Sequence, residues 1–160
     1  MPPVLSSRAS FTRPDDTDAY TANDLVANDT DDTLVAPMTF RSNQVGGRGG
    51  MLRRAILRKS GTGTTNADFT LLLYSAAPTP TNGDNGAYET DEADSFLGAI
   101  DITVDTAFSD GAVGIAIPNV GSEINVPGEV DIVYGLLKAA AAYTPAAQEV
   151  FTVDLEILPA

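Results

Sequence analysis

Apolar and polar side chains alternate most regularly near the end of the chain. There Phe151, Val153, Leu155 and Ile157 fall on one side of an extended segment, and Thr152, Asp154 and Glu156 on the other. A repeat of two residues marks a strand with one face buried, so 151–157 is read as a strand with its apolar set inward. Residues 96–104 follow the same rule, with Phe96, Ile100, Ile102 and Val104 sharing a face with Gly98. Shorter runs at 34–45, 113–117, 124–126 and 130–137 predict further strands. Met38, Phe40 and Ser42 share a face in the first of these, where Pro37 sets the start at a sheet edge; Ile132, Tyr134 and Leu136 share a face in the last. Asp110-Gly111 and Pro127-Gly128 supply turns between them. The alanine tract 138–142 has instead the propensity of a short helical turn.

The run 51–59 breaks the alternation with charge. One face carries Met51, Arg53, Ala55, Leu57 and Lys59 and the other Leu52, Arg54, Ile56 and Arg58, so either face brings a cation inward unless a bulge intervenes. The expected solution has Ala55 and Leu57 facing the core, with Arg53 and Lys59 reaching water from the strand ends. Arg54 and Arg58, with Ile56 between them, then form a basic stripe on the outer face, either balancing an acidic surface or meeting a partner. Loop residues at 60–66 and an apolar run at 69–74 complete what reads as a hairpin with this strand. The preceding Gly46-Gly-Arg-Gly-Gly50 lacks the Lys-Ser/Thr of a phosphate loop and is read as a connection.

Two polar stretches flank this material. Residues 1–33 hold seven aspartates between Asp15 and Asp32 and few large apolar groups, so they are expected to form an extended acidic arm, anchored by Phe11, Tyr20, Leu25 and Val26. The remainder, 34–160, is then the folded domain. Residues 76–88, with their proline and Asn-Gly signals, lead into the acidic 89–94 and predict a long exposed loop. The arm's aspartates match no calcium-loop spacing; this loop, with Asp84, Asp91, Glu92 and Asp94, is a second candidate for calcium, but it is read as a solvated loop, and no metal and no cofactor are expected.

Seven or eight short strands with no sustained helical period predict an all-β domain, an antiparallel, jelly-roll-like β-sandwich. A chain of 160 residues suffices for one core without crosslinks. Cysteine and histidine are both absent, which removes thiol nucleophiles, zinc sites and catalytic triads. The net charge of −13 argues against nucleic acid as the main ligand. The start of the chain has no apolar signal-like run and no stretch has the length of a bilayer span, so a protein made in the cytoplasm and independent of membranes is expected. Asp101 and Asp105, four apart on one strand, share a face and could serve as the carboxylate pair of a glycosidase, but outward strand aspartates are ordinarily solvated, and no enzyme is expected. A carbohydrate- or receptor-binding sandwich would use Tyr88 and Tyr143, without the tryptophan that best stacks on sugars.

Several strings resemble segments of small structural proteins of tailed bacteriophages: Ala19-Tyr-Thr-Ala-Asn-Asp-Leu-Val26, Arg58-Lys-Ser-Gly-Thr-Gly-Thr-Thr-Asn66, Leu73-Tyr-Ser-Ala76, Asn82-Gly-Asp-Asn-Gly-Ala-Tyr88 and Tyr143-Thr-Pro-Ala-Ala-Gln-Glu-Val-Phe-Thr-Val153. The resemblance is to capsid cement, or decoration, proteins. It implies a β-rich homotrimer on the outer surface of a virion head, bridging major capsid protein subunits, with no catalytic residues. A receptor-binding component of a tail or fibre is the alternative. The residues expected to meet a partner are Arg53, Arg54, Arg58 and Lys59 of the basic strand and Tyr20, Leu25 and Val26 of the arm, the latter exchanged between subunits.

Overall fold

A computed structural model describes residues 4–42 and 49–160. Among these residues eleven strands form an all-β antiparallel sandwich of two sheets. In sheet I, β1 (Leu5–Thr12), β11 (Val150–Pro159), β4 (Gly50–Lys59), β8 (Gly111–Ala116) and β7 (Thr106–Phe108) lie in that order, and β9 (Asn125–Val126) pairs with the start of β4. In sheet II, β2 (Leu25–Val26), β10 (Ile132–Ala139), β5 (Asp68–Tyr74) and β6 (Phe96–Thr103) are neighbours, and β3 (Met38–Arg41) shares the β10 edge with β2.

The alternation in β11 places Phe151, Val153, Leu155 and Ile157 in the core, each at most 1% exposed. Facing them from sheet II are Phe69, Leu71 and Leu73 of β5, Ile100 and Ile102 of β6, and Val133 and Leu137 of β10. Phe69 packs edge-on against both Phe151 and Tyr143, with ring centroids 5.4 and 5.2 Å apart, and ties the layers together. The second face of sheet II is covered as well. Leu25, Ala27, Leu72, Tyr74 and Leu136 form a smaller apolar layer there, with Val35, Tyr88 and Tyr134 against it. That is why β5 is buried on both faces and reads as a continuous apolar run.

The expected hairpin of β4 and β5 does not form. β4 lies between β11 and β8 in sheet I, whereas β5 lies between β10 and β6 in sheet II. The two strands stack through their inner faces, and the loop between them crosses the roughly 10 Å that separates packed sheets. A two-residue turn would have forced adjacency; a longer loop leaves the partner to be chosen by burial. The charge problem in β4 is solved by a bulge. Glu156 pairs with Arg54 and Ile157 with Leu52, which leaves Arg53 as the extra residue and brings Leu52 into the core beside Ala55 and Leu57.

A second bulge, at Leu97, turns Leu97 toward the core and Phe96 outward, 44% exposed, in place of the expected inward Phe96. The expected run 34–45 contracts to β3, because 32–34 close a short 3₁₀ turn; 43–45, and the glycines before Gly49, lie outside the described residues. The alanine tract does not coil. Lys138 and Ala139 extend β10 opposite Thr70 and Phe69, and the burial of Ala139 outweighs its helical propensity. Glycine is required once at the sheet corner: a Cβ on Gly114 would lie 2.3 Å from the carbonyl oxygen of Thr103, where β8 passes under β6.

The segment read as an extended arm is woven into the sandwich of its own chain. β1 pairs with β11 along its whole length, from Leu5 opposite Ile157 to Thr12 opposite Val150. Tyr20, Leu25 and Val26 are core residues, at most 1% exposed. Composition suggested an arm because the aspartates sit on the outside, while the few apolar residues and Arg13 are sufficient to hold the path.

Candidate functional site

Alternation and pairing together fix what sheet I presents outward. Ser6, Arg8, Ser10 and Thr12 come from β1, Thr152, Asp154 and Glu156 from β11, Arg54, Ile56 and Arg58 from β4, and Val113 and Ile115 from β8. Among the described residues, no apolar layer like the one over sheet II packs on this face.

Its two halves differ in chemistry. On the β1–β11 side the charges are paired, three guanidinium groups against two carboxylates. Asp154 receives both Arg8 (Nε to Oδ1, 2.6 Å) and Arg58, and Glu156 receives Arg54 at 2.6 Å. Burial pushes the Asp154 carboxyl up, but the hydrogen bond from Arg8 and the charges of Arg58 and Arg8 outweigh it and hold the group below the ordinary carboxylate range. The hydrogen bond from Arg54 lowers Glu156 likewise. Arg53, displaced by the bulge, is exposed and has no ion pair among those of the described residues.

On the β8–β7 side the face is apolar. Ile115 pairs with Ile56, Val113 with Arg58 and Thr106, and Phe108 with Gly111. Exposure reaches 57% for Ile115, 55% for Phe108 and 71% for Ile117, the residue following β8. Ile115 and Ile117 are next neighbours on the outward face, while Phe108, opposite Gly111, lies toward the other end of the β7–β8 pair; exposed apolar groups along one margin of a sheet suit a contact surface. Sequence reasoning identified the β8 strand but not this strip, although the alternation Val113, Ile115, Ile117 opposite Ala112, Gly114, Ala116 was its signal: the larger residues face out.

The other expected partner residues are engaged inside the fold. Lys59 does not reach water. It is 3% exposed, donates to the Gly61 carbonyl at 2.8 Å and to Glu149 at 3.2 Å, and lies over the Tyr143 ring at 5.1 Å. A cation on the inner face survives because Glu149, 1% exposed, is its counter-ion and also accepts from the Tyr143 hydroxyl. Tyr20 donates to Asp84 at 2.7 Å and accepts from Arg13, which in turn reaches Asp84 at 2.9 Å and Asp16 at 3.0 Å. Asp84 also accepts from the Ala27 N–H at 2.8 Å. This cluster pins 13–27 to the 80–88 loop, and it occupies the aspartate that the calcium reading included. Burial pushes the Asp84 carboxyl up, against the opposing pull of Ala27 N–H, Tyr20 and Arg13. Arg13 and Glu149 carried no periodic signal, since each is a lone charge in a loop-like context.

The remaining candidates do not converge. Asp101 accepts from Thr70 at 2.7 Å, while Asp105 lies beyond the end of β6 and accepts from Thr106 at 3.0 Å; both are exposed, and they do not share a strand. Tyr143 is 3% exposed and unavailable to a sugar, whereas Tyr88 lines a surface groove. Among the described residues no group of three acidic side chains converges as metal ligands would, and no helix is long and apolar enough to cross a membrane.

Compared with protein families and with curated proteins, the sequence matches none.

Proposed function

We propose that this protein is a capsid decoration, or cement, protein that binds the outside of a phage head and stabilises it by bridging major capsid subunits. The observation that carries the reading is the bare outer face of sheet I. It combines an exposed apolar strip, Phe108, Ile115 and Ile117, with the arginine pairs of Arg54 and Arg58 beside it and Arg53 at its end. Such a face suits docking on a preassembled shell, where modest contacts repeated by symmetry yield avidity. The resemblance of its loop and framework strings to phage structural proteins agrees with this. The role is structural, not enzymatic, and places the protein on the outer surface of the virion after synthesis in the host cytoplasm.

The proposal includes a homotrimer. An exchange of N-terminal segments between subunits would make the same β1–β11 register between copies that one chain makes within itself, at little cost in contacts. The deciding measurement is the copy number of the chain on purified particles. A number comparable to that of the shell subunit supports decoration, and a few copies per particle would move the protein to a tail or fibre.

A further inference from the structure

The loops over the outer face of sheet II leave a groove of about 270 Å³, lined by Leu72, Tyr74, Tyr88, Thr90, Ala93 and Phe96. The bulge at Leu97 creates it by turning Phe96 outward, where its ring leans over Tyr74 with centroids 5.6 Å apart. The floor is therefore aromatic and the volume small, below the roughly 300–1,000 Å³ of pockets for whole small molecules, so it suits a single side chain.

The rim is acidic. Glu89 lies between Tyr88 and Thr90 in the chain, Asp91 and Glu92 lie between Thr90 and Ala93, and Asp94 follows Ala93. Among the described residues five carboxylates meet arginine or lysine, those of Asp16, Asp84, Glu149, Asp154 and Glu156. Among the described residues none of the four rim carboxylates does. Glu92 is the most telling, since its Oε1 accepts from the Thr79 N–H at 3.0 Å while its Oε2 is buried with no hydrogen-bond partner. Its charge is near enough to Tyr74 to help raise the phenol, after burial as the main cause. A buried carboxylate oxygen without a donor is costly, and an arriving cation relieves that cost. The Tyr88 ring already receives one ammonium, that of Lys138 at 5.5 Å, which leaves four carboxylates against a single local base.

We infer that this groove receives a basic side chain, arginine or lysine, projecting from a partner protein, with the cation over the rings of Tyr74, Tyr88 and Phe96 and its N–H groups on Glu92. Aromatic faces attract cations, and guanidinium also stacks on them, so the floor and the rim select the same chemistry. The inference stands apart from the decoration reading, because it concerns the opposite sheet and needs no particle.

The test is titration of the full chain with the peptide acetyl-Gly-Arg-Gly-amide, followed by NMR on the ring signals of Tyr74, Tyr88 and Phe96. Acetyl-Gly-citrulline-Gly-amide serves as the neutral isostere and choline as a small-molecule cation. The expected result is a saturable shift of these rings with the arginine peptide, binding about tenfold weaker for citrulline, which corresponds to about 1.4 kcal/mol. Glu92→Gln should weaken the arginine peptide without altering the rest of the spectrum, and Phe96→Ala, at an exposed position, should do the same. Absence of a saturable ring shift, equal binding of citrulline, or choline binding more tightly than the peptide would each overturn the inference.

Discussion

Arg13 sits where chain path and charge meet. Its guanidinium is fully buried and shares Asp84 with Tyr20, so truncating it leaves a carboxylate 1% exposed without its counter-ion. Breaking a buried pair from one side typically costs about 3–5 kcal/mol. Arg13→Met should therefore lower the unfolding free energy, read from denaturant titration, by that order, and adding Asp84→Asn should recover part of the loss because the orphaned charge is gone. Equal destabilisation by the single and double variants would show that the cluster acts through shape rather than charge. Asp154 makes the complementary case on the surface. Its folded carboxyl lies below the ordinary range, so its contribution is fully present above the unfolded pKa and is lost as pH falls through the folded value. Glu156 acts in the same direction. Asp84 acts in the opposite one: raised in the folded state, it takes up a proton there first, and falling pH favours the fold at that site. Asp154→Asn should flatten the acid limb of the stability curve, measured as denaturant midpoint against pH, and leave stability at neutral pH lower. An unchanged acid limb would assign acid unfolding to other carboxylates.

Elements were legible in the sequence where one face is buried and the other wet, and illegible where partners had to be named. β11 follows its alternation residue by residue, and β8 and β9 lie where short apolar runs and turns placed them. The sheet membership of β4 and β5 did not follow, because a loop of ordinary turn residues carries no information about whether its strands lie side by side or face to face. The inward turn of Lys59 was hidden for a similar reason: its counter-ion, Glu149, is remote in sequence and was singled out by no pattern. Among the candidate partner residues, the sequence placed Arg54 and Arg58 correctly on an outer face but could not show that Glu156 and Asp154 already meet them. β1 is the element on which the two readings part most sharply. As a loose arm it could be removed without harm to the domain; as an edge strand it supplies Arg8 to Asp154, covers the β11 edge and stacks Phe11 on Phe151 at 5.5 Å. Deleting residues 1–12 should thus lower the unfolding midpoint and raise aggregation through the newly bared β11 edge. A truncated protein that melts with the full chain would restore the arm as a passive segment.

At the scale of the whole molecule, the sandwich divides its labour between two outer faces. Sheet II is capped by its own loops, which the Arg13–Asp84 cluster clamps in place, and among the described residues it offers an aromatic groove bordered by an acidic segment. Sheet I stays bare, with its charges paired internally along β1, β11 and β4 and its apolar residues gathered toward β7. Because Asp154 and Glu156 already engage Arg8, Arg58 and Arg54, leaving one net positive charge among them, charge alone leaves little for a shell to bind: exposed ion pairs contribute only about 0–1 kcal/mol each. The apolar strip must then supply most of the affinity in the decoration reading, at about 25 cal/mol for each Å² of apolar surface buried. Ile115→Lys with Ile117→Lys tests this directly. Both residues are more than half exposed, so the double variant should keep the fold and its melting temperature, while co-sedimentation with undecorated heads falls by at least about tenfold relative to the unmodified chain, the effect of some 1.4 kcal/mol per site. Reversing the charge at Arg53, which no acidic partner holds, should weaken binding less and in a salt-dependent manner. If the isoleucine variant decorates heads as the unmodified chain does while the Arg53→Glu variant fails, the contact is electrostatic and the apolar strip serves another purpose, such as the interface between copies in the trimer.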